Sequence, residues 1–230
     1  MNKTIAISVA MSAEYALMRE ALGNPEETEV KGLLFCKARL GNNTVVLAKS
    51  GVGKVNAAVT GTVLVYEFAP DCMISTGVAG GLDKSINIGD VVLGAYTCYH
   101  DVYVGEEVVQ KSNNHTGKFP ADACLLKNAG ALQEWSGILK SGLICTGDQF
   151  IDNRDKLREI KNAYPEALAV DMESCSLAQV CDLFSVPFLS LRIISDTPYA
   201  DKHLENYKNF FDKAPHILFN IAKSIIESII

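Results

Sequence analysis

The chain has 230 residues, of which 48% are hydrophobic and 21% are charged, and its formal net charge is −6. This length and composition predict a single globular domain over residues 1–230 with a substantial buried core, and they argue against intrinsic disorder. The acidic balance, without a basic stripe, disfavours nucleic acid or an anionic membrane surface as a partner.

The seven cysteines are scattered through apolar segments, and none of them forms a Cys-x-x-Cys pair. An odd number of cysteines in such positions is typical of buried thiols in a reducing compartment. The sequence passes from Met1 directly into the apolar run 4–10, without the charged and apolar regions of a signal peptide. We therefore expect a cytoplasmic protein.

Apolar runs of strand length alternate with helical patterns along most of the chain. The predicted strands are 4–10, 33–40, 44–49, 72–76, 90–97, 143–146, 167–170 and 187–194, and the predicted helices are 13–22, 54–68, 121–134, 153–163, 174–183 and 205–229. This alternation predicts an α/β fold of three layers, α/β/α, with a central mixed, mostly parallel sheet. "LGNNT" at 40–44 predicts a hairpin turn, and the polar stretch 105–120 predicts a loop.

The stretch "KSGVGKVNAAV" at 49–59 opens a predicted helix with two glycines and a lysine. A phosphate-binding loop has the pattern G-x-x-x-x-G-K-[ST], whose backbone N–H groups surround the phosphates. Here Ala48 stands five positions before Gly53, and Val55 follows Lys54. The incomplete motif disfavours a phosphate loop, and we expect Lys54 to be a structural or surface residue.

Two candidate sites follow predicted strands in the first half of the chain, where open α/β sheets bind ligands. Glu14, in "AMSAE", stands at a helix start, where an acid serves catalysis or only interacts with the helix dipole. The segment "ISTGVAGGL" at 74–82 has three glycines within five positions and predicts a tight turn. That turn either contacts a ligand or is purely structural, and it lacks the dinucleotide pattern G-x-G-x-x-G.

Two more candidates lie in the second half. In "AVDMESCSLAQV" at 169–180, Asp171 and Glu173 point the same way if the strand continues, and both favour donors such as sugar hydroxyls. One of the two acids could simply be a helix cap. In "LRIISDTP", Ser195 and Asp196 end a strand, where an aspartate can donate a proton or merely form a turn.

The four histidines show no metal-ligand spacing, and neither a Ser/His/Asp nor a Cys/His nucleophile pattern stands out. Several strand-end carboxylates with a glycine-rich segment and apolar surroundings favour acid/base chemistry on a neutral organic molecule.

Nine short motifs occur in one order along the chain: "AMSAE", "KSGVGKVNAA", "TGVAGGL", "IGDVV", "YHD", "TGDQFI", "VDMES", "VPF" and "RIISD". Through them the chain resembles, along nearly its whole length, the bacterial 5′-methylthioadenosine/S-adenosylhomocysteine nucleosidases of the nucleoside phosphorylase superfamily. The resemblance implies hydrolysis of the N-glycosidic bond of 5′-methylthioadenosine, S-adenosylhomocysteine and also 5′-deoxyadenosine. Adenine and the 5′-substituted ribose would be released without a metal or cofactor.

The resemblance also implies roles for individual residues. Asp196 would be the general acid that protonates purine N7, Glu14 would activate or position the attacking water, and Glu173 would bind the ribose hydroxyls. Phe150 would stack on the purine, the Ile151 backbone would read its edge, and Met11 with Val52 would surround the 5′ substituent. The complete set implied for substrate binding is Met11, Val52, Val78, Ala79, Gly80, Phe150, Ile151, Asp171, Met172, Arg192 and Ser195.

A homodimer is implied as well, in which the loop 105–120 of one subunit helps to close the pocket of the other. Tyr207 or Phe210 would cap the 5′ substituent. Phosphorolytic members of the superfamily hold phosphate with an arginine where this chain has Ser75, so water is the expected nucleophile.

Two departures from the family pattern concern specificity, because Val78 stands where many relatives carry serine and Asp171 where glutamate is common. The alternatives that remain are an aminodeoxyfutalosine nucleosidase, a purine nucleoside phosphorylase and a non-catalytic nucleoside-binding protein.

Overall fold

The structure is a computed structural model that describes residues 2–103, 105, 117–197 and 214–229. Its strands are β1 (Thr4–Val9), β2 (Glu27–Val30), β3 (Leu33–Leu40), β4 (Asn43–Lys49), β5 (Cys72–Gly81), β6 (Val91–Tyr99), β7 (Phe119–Pro120), β8 (Leu139–Thr146), β9 (Ala167–Asp171) and β10 (Phe188–Asp196). Its helices are α1 (Ser12–Ala21), α2 (Lys54–Phe68), α3 (Ala123–Gly130), α4 (Arg154–Ala163), α5 (Ser174–Leu183) and α6 (Ala214–Ser228), with a short 3₁₀ helix at Gln133–Trp135.

The strands form one mixed sheet in the order β10-β6-β8-β9-β5-β1-β4-β3-β2, with β7 beside β6. The longest pairings, β5 with β10 and β6 with β8, are parallel. Because β5 also pairs with β9, the five strands β10, β6, β8, β9 and β5 close into a ring. The ring brings the carboxyl ends of β5, β9 and β10 together.

Helices cover both faces of the sheet, as the sequence predicts. Apolar side chains alternate along β1 and β4, so that Ile5 and Leu47 pack with α1, α3 and α6, while Ala6 and Val46 pack with α2 and α5. A further cluster joins α4 to β8 and β9. None of the helices in the described ranges is both long and apolar enough to cross a membrane.

The elements largely match their predictions, and the predicted hairpin joins β3 to β4 through Leu40 and Asn43. Strands β2 and β7 are absent from the predicted elements, and α3 ends at Gly130, before the predicted residue 134. Residues 205–213 and most of 105–120, including Tyr207 and Phe210, lie outside the described residues. All seven cysteines are unpaired thiols, and six of them are buried, whereas Cys124 is exposed.

The predicted tight turn at 74–82 is wrong, because β5 continues without interruption to Gly81. The glycines instead permit neighbouring strands to approach closely. A Cβ at Gly80 would lie 3.3 Å from both Asp196 Oδ2 and Val170 Cγ1, and one at Gly81 would lie 3.0 Å from Thr197 Cγ2. Closure of the ring therefore requires residues without a side chain at Gly80 and Gly81. In the sequence alone, such glycines look like the residues of a turn.

Candidate active site

A cavity of about 250 Å³ lies where β5, β9 and β10 end. Thirteen of the fourteen predicted site residues line it, namely Met11, Glu14, Val52, Val78, Ala79, Gly80, Phe150, Ile151, Asp171, Met172, Glu173, Ser195 and Asp196. Four residues that are not among the predicted ones also line the cavity, namely Ala10, Gly77, Gln149 and Val170. Each of these is close in sequence to a predicted residue, so inclusion of the flanking positions at each strand end would have found them.

Arg192 is the predicted residue that does not line the cavity. It lies on β10 and is 1% exposed. Its Nε donates to Asp171 Oδ2 at 2.7 Å, and its Nη2 donates to Ser75 Oγ at 2.9 Å. A guanidinium buried this deeply requires a carboxylate partner, and Asp171 supplies it, so the side chain is held behind the cavity wall.

The carboxylate of Asp171 uses almost all of its hydrogen-bonding capacity on partners within the protein. In addition to Arg192, its carboxylate accepts from Thr146 Oγ1 at 2.6 Å, from Ser174 N at 3.1 Å and from Ser174 Oγ. It therefore satisfies donors at the start of α5, which is the capping role that the sequence left open. The carboxylate joins β8, β9, β10 and α5 at one point beneath the cavity.

Glu173 follows Asp171 and is buried beside the cavity. Its Oε1 accepts a hydrogen bond from Gly53 N at 2.9 Å, and its Oε2 lies 3.9 Å from Arg192 Nη2. Burial, followed by the charge of Asp171, raises the pKa of Glu173 to about 7, although Arg192 and the Gly53 N–H oppose the shift. This carboxyl group consequently changes its charge near neutral pH.

Glu14 reaches the cavity from the first turn of α1. Its Oε2 accepts from Met11 N at 3.0 Å, so the carboxylate satisfies the backbone N–H of the residue that precedes α1. Burial raises the pKa of Glu14, and the Met11 N–H and the Arg192 charge only partly counteract it. A Cβ at Gly77 would lie 3.3 Å from Glu14 Oε1, so the glycine leaves room for the carboxylate.

Asp196 is buried where β10 ends, and it pairs directly with Gly80 on the neighbouring strand β5. The Ser195 hydroxyl lies 2.5 Å from Asp196 Oδ1 and 3.3 Å from the Ala79 carbonyl oxygen. The hydroxyl thereby restricts the orientation of the carboxyl group. A group held in this way, in a site shielded from water, is suited to proton transfer with a bound molecule.

The remainder of the cavity wall is largely apolar. Met11 and Val52 lie on one part of it, and Phe150 and Ile151 lie on another. Ile151 is buried, whereas Phe150 and Val52 are each about half exposed, at 50% and 48%. The mouth of the cavity thus offers apolar contacts to a ligand whose polar part reaches the carboxyl groups.

The glycine-rich start of α2 binds the protein's own carboxylates. Gly51 and Gly53 have φ values of +87° and +96°, which turn the backbone sharply ahead of the helix. Gly53 N donates to Glu173, and Lys54 N donates to Asp148 Oδ1 at 2.7 Å. The Lys54 ammonium binds Asp101 at 2.8 Å, so Lys54 is a structural residue and the prediction against a phosphate loop agrees with these contacts.

Comparison with known proteins gives consistent matches over most of the chain. The model of the phosphorylase superfamily matches residues 4–227. A 5′-methylthioadenosine/S-adenosylhomocysteine nucleosidase of Staphylococcus saprophyticus is 36% identical over 228 residues, which cover 98% of this chain and 100% of the relative. The nucleosidase of Tolumonas auensis is 39% identical over 197 residues, covering 84% of this chain and 85% of the relative.

Solved structures share the fold. The nucleosidase of Neisseria meningitidis, solved in complex with methylthio-immucillin-A, superposes with a TM-score of 0.89 at 33% identity and covers 99% of this chain and 100% of its own. A futalosine hydrolase of Helicobacter pylori has a TM-score of 0.88 at 27% identity, covering 99% of this chain and 98% of its own. The predicted α/β fold with a central mixed sheet is thus confirmed.

Glu173→Gln should stabilise the protein at alkaline pH. In the folded state the pKa of Glu173 is about 7, against 4.5 for an ordinary carboxyl group. The folded state therefore binds a proton that the unfolded state has lost, and Glu173 lowers the free energy of unfolding as pH rises from 4.5 to 7. Each pKa unit corresponds to about 1.4 kcal/mol, which gives a gain of roughly 3 kcal/mol for the variant at pH 8 and little at pH 4.5. Urea unfolding at both pH values measures the difference.

The control is Glu29→Gln, which neutralises an exposed carboxylate on β2 and should change stability little at either pH. An equal effect of Glu173→Gln at pH 4.5 and pH 8 would contradict the raised pKa.

Proposed function

The chain belongs to the 5′-methylthioadenosine/S-adenosylhomocysteine nucleosidases of the phosphorylase superfamily, and we propose that it hydrolyses the N-glycosidic bond of these two nucleosides and of 5′-deoxyadenosine. The products are adenine and the 5′-substituted ribose. The observation that carries this proposal is the convergence of Glu14, Glu173 and Asp196, all buried, on one largely apolar cavity. When a ribosyl C–N bond breaks, positive charge develops on the sugar and negative charge develops on the purine. Cleavage therefore needs a proton donor near the purine and anions near the sugar.

In the proposed mechanism, Asp196 is the general acid and donates a proton to purine N7. The electron pair of the breaking C–N bond then passes to a neutral leaving group rather than to an anion. The Ser195 hydroxyl, 2.5 Å from Asp196 Oδ1, supports this role because it holds the carboxyl group in one orientation. Phe150 stacks on the purine, and the backbone of Ile151 reads its edge.

Glu14 and Glu173 act on the sugar side. Glu14 positions the water and accepts its proton as the water oxygen bonds to the anomeric carbon. Its raised pKa favours this step, because a carboxylate in a buried site is a stronger base than one in water. Glu173 accepts hydrogen bonds from the ribose hydroxyls, while Met11 and Val52 surround the 5′ substituent.

The charges around the cavity favour water over phosphate as the nucleophile. Arg192 is buried behind the wall and already bonded to Asp171 and Ser75, so its guanidinium does not face a ligand. The carboxyl groups of Glu14 and Glu173 would repel an anion. Neither the Ser75 position nor the start of α2 supplies a cation to the cavity in the described ranges.

We also propose that the enzyme is a homodimer in which the loop 105–120 of one subunit closes the pocket of the other. An apolar stripe on α2 supports this, since Val55, Val59 and Tyr66 are 72%, 51% and 71% exposed. Tyr66 packs edge-on against Phe184 beside it, with the ring centroids 5.3 Å apart. Val52, three residues before Val55, already lines the cavity, so a partner on this face would reach the pocket.

The cellular setting proposed for the enzyme is the cytoplasm, where it would take part in methionine salvage. Seven unpaired thiols, six of them buried, support a reducing compartment. Release of the 5′-alkylthio sugar from adenine is the step that such a salvage route requires.

Adenine release should not depend on phosphate. A panel of 5′-methylthioadenosine, S-adenosylhomocysteine, 5′-deoxyadenosine and aminodeoxyfutalosine, assayed with and without phosphate, tests the reaction and the substrate together. We expect equal turnover of the first two nucleosides in both conditions. Loss of turnover without phosphate would instead identify a phosphorylase, and a preference for aminodeoxyfutalosine would identify the activity suggested by the resemblance to a futalosine hydrolase.

Asp196→Asn should lower kcat for 5′-methylthioadenosine by about 10²- to 10⁴-fold, because the amide cannot supply the proton to N7. The substitution keeps the shape of the side chain, so KM should change little. Steady-state adenine release measures both constants. The control is Asp71→Asn, which alters an exposed carboxylate bonded to Lys3, far from the cavity. Full activity of Asp196→Asn would refute the assignment of the proton donor.

Val59→Glu should dissociate the dimer, since it places a charge in the middle of the apolar stripe. We expect sedimentation to show a monomer and adenine release to fall, because the pocket then lacks the loop of the partner. Asn220→Glu, on the exposed side of α6, introduces the same charge elsewhere and should leave the dimer intact. A variant that remains dimeric would exclude this face as the interface.

A further inference from the structure

Three charged residues outside the cavity connect the start of α2 to the segment that follows β8. The Lys54 ammonium lies 2.8 Å from both carboxylate oxygens of Asp101 and 3.8 Å from Asp148 Oδ2. Asp148 N donates to Asp101 Oδ2 at 2.9 Å, and Lys54 N donates to Asp148 Oδ1 at 2.7 Å. Lys54, Asp101 and Asp148, the Lys54 cluster, therefore form a closed set of hydrogen bonds.

Within the cluster, the side chains of Lys54 and Asp101 are shielded from water more than that of Asp148, which is 46% exposed. The side chains of Lys54 and Asp101 are 21% and 23% exposed. Burial acts to raise the pKa of Asp101, but the hydrogen bonds from Lys54 and from the Asp148 N–H outweigh it and leave the pKa below its ordinary value. Asp101 is therefore ionised throughout the neutral range.

The segment 147–151 depends on such contacts, because it has no strand or helix to hold it. It carries Gln149, Phe150 and Ile151, which form one wall of the cavity. At its start, the ring of His100 packs against Gly147 so closely that a Cβ there would lie 2.3 Å from His100 Nε2. Asp148, the next residue, connects this wall to α2 through its carboxylate, which accepts from Lys54 N, and to Asp101 through its own N–H.

The other end of the cluster leads to the sugar side of the cavity. Lys54 directly follows Gly53, whose N–H holds Glu173 Oε1 at 2.9 Å. The path from Phe150 through Asp148, Lys54 and Gly53 to Glu173 thus joins the two walls with hydrogen bonds of 2.7–2.9 Å. Asp101 lies beside this path and braces it, because it binds both the ammonium of Lys54 and the backbone N–H of Asp148.

We propose that Asp101 is a positioning residue for the nucleoside. Through Lys54 and Asp148 it fixes the segment 147–151, the cavity wall proposed to contact the purine, at a set distance from the ribose-binding Glu173. This inference rests on the proposed function and extends it to residues that touch neither the substrate nor the reacting atoms. Loss of Asp101 loosens the segment 147–151, so the purine is bound less tightly. The proton donor Asp196 and the water-binding Glu14 stay in place.

Two substitutions of Asp101 separate its contacts. Asp101→Ala removes both, and we expect KM for 5′-methylthioadenosine to rise about tenfold with kcat within about threefold of the wild type, as for loss of uniform binding. Asp101→Asn keeps an oxygen that can accept from Asp148 N but loses the charge that holds Lys54. It should raise KM less than Asp101→Ala does. Calorimetry should show the affinity for adenine falling in parallel with KM.

Lys54→Met tests whether the contacts act together. It retains an aliphatic side chain but removes the ammonium, which lies 5.3 Å from the centroid of the Tyr99 ring. The double variant Asp101→Ala/Lys54→Met should raise KM no more than the larger of the two single effects, since both belong to one path. The matched control is Asp83→Asn, which disrupts the similarly exposed pair with Lys161 away from the cavity and should leave KM and adenine affinity unchanged.

The outcomes distinguish this inference from the function on which it rests. If the wild type releases adenine but Asp101→Ala and Asp101→Asn both keep KM and adenine affinity within twofold, the positioning role is wrong and the function stands. A similar rise in KM for Asp83→Asn would also overturn it, because the effect would then reflect general stability. If the wild type releases no adenine, the proposed function fails, and adenine affinity of the variants still decides the positioning role.

Discussion

The buried ion pair of Arg192 and Asp171 is the interaction on which the site depends. A guanidinium that is 1% exposed requires a carboxylate at hydrogen-bond distance, and the 2.7 Å contact from β10 to the end of β9 provides it. The same guanidinium also binds Ser75 on β5. One charged side chain therefore links three of the five strands that close into a ring, and their ends carry the groups around the cavity.

The pair has an electrostatic consequence for the other carboxyl groups. Since Arg192 is bonded to Asp171, it compensates Glu173 only from 3.9 Å and Glu14 only in part. Burial then raises the pKa of both groups, so the folded protein gives up stability to keep two poorly compensated acids in the cavity. A site with this excess of carboxyl groups accepts a neutral nucleoside and water more readily than an anion.

Patterns that are local in the sequence predicted the fold well, and long-range contacts account for the errors. Hydrophobic periodicity located the helices and the central strands, and polar residues at strand ends located the cavity. The sequence predicts a turn at the glycines of β5, because their close neighbours Asp196 and Thr197 are more than a hundred residues away along the chain. The prediction that Arg192 binds substrate is wrong about its position, because the sequence does not reveal that Asp171 and Ser75 hold its side chain behind the cavity wall.

The start of α2 shows why a motif that resembles a phosphate loop occurs beside a cavity with these properties. A sharp glycine turn ahead of a helix exposes backbone N–H groups, and such groups bind any nearby anion, whether a phosphate or a carboxylate. Here Glu173 and Asp148 occupy the donors of Gly53 and Lys54, so the helix start orders the cavity walls from within. The glycine turn therefore serves to position Glu173, through the hydrogen bond that Gly53 N donates to a residue 120 positions further along the chain.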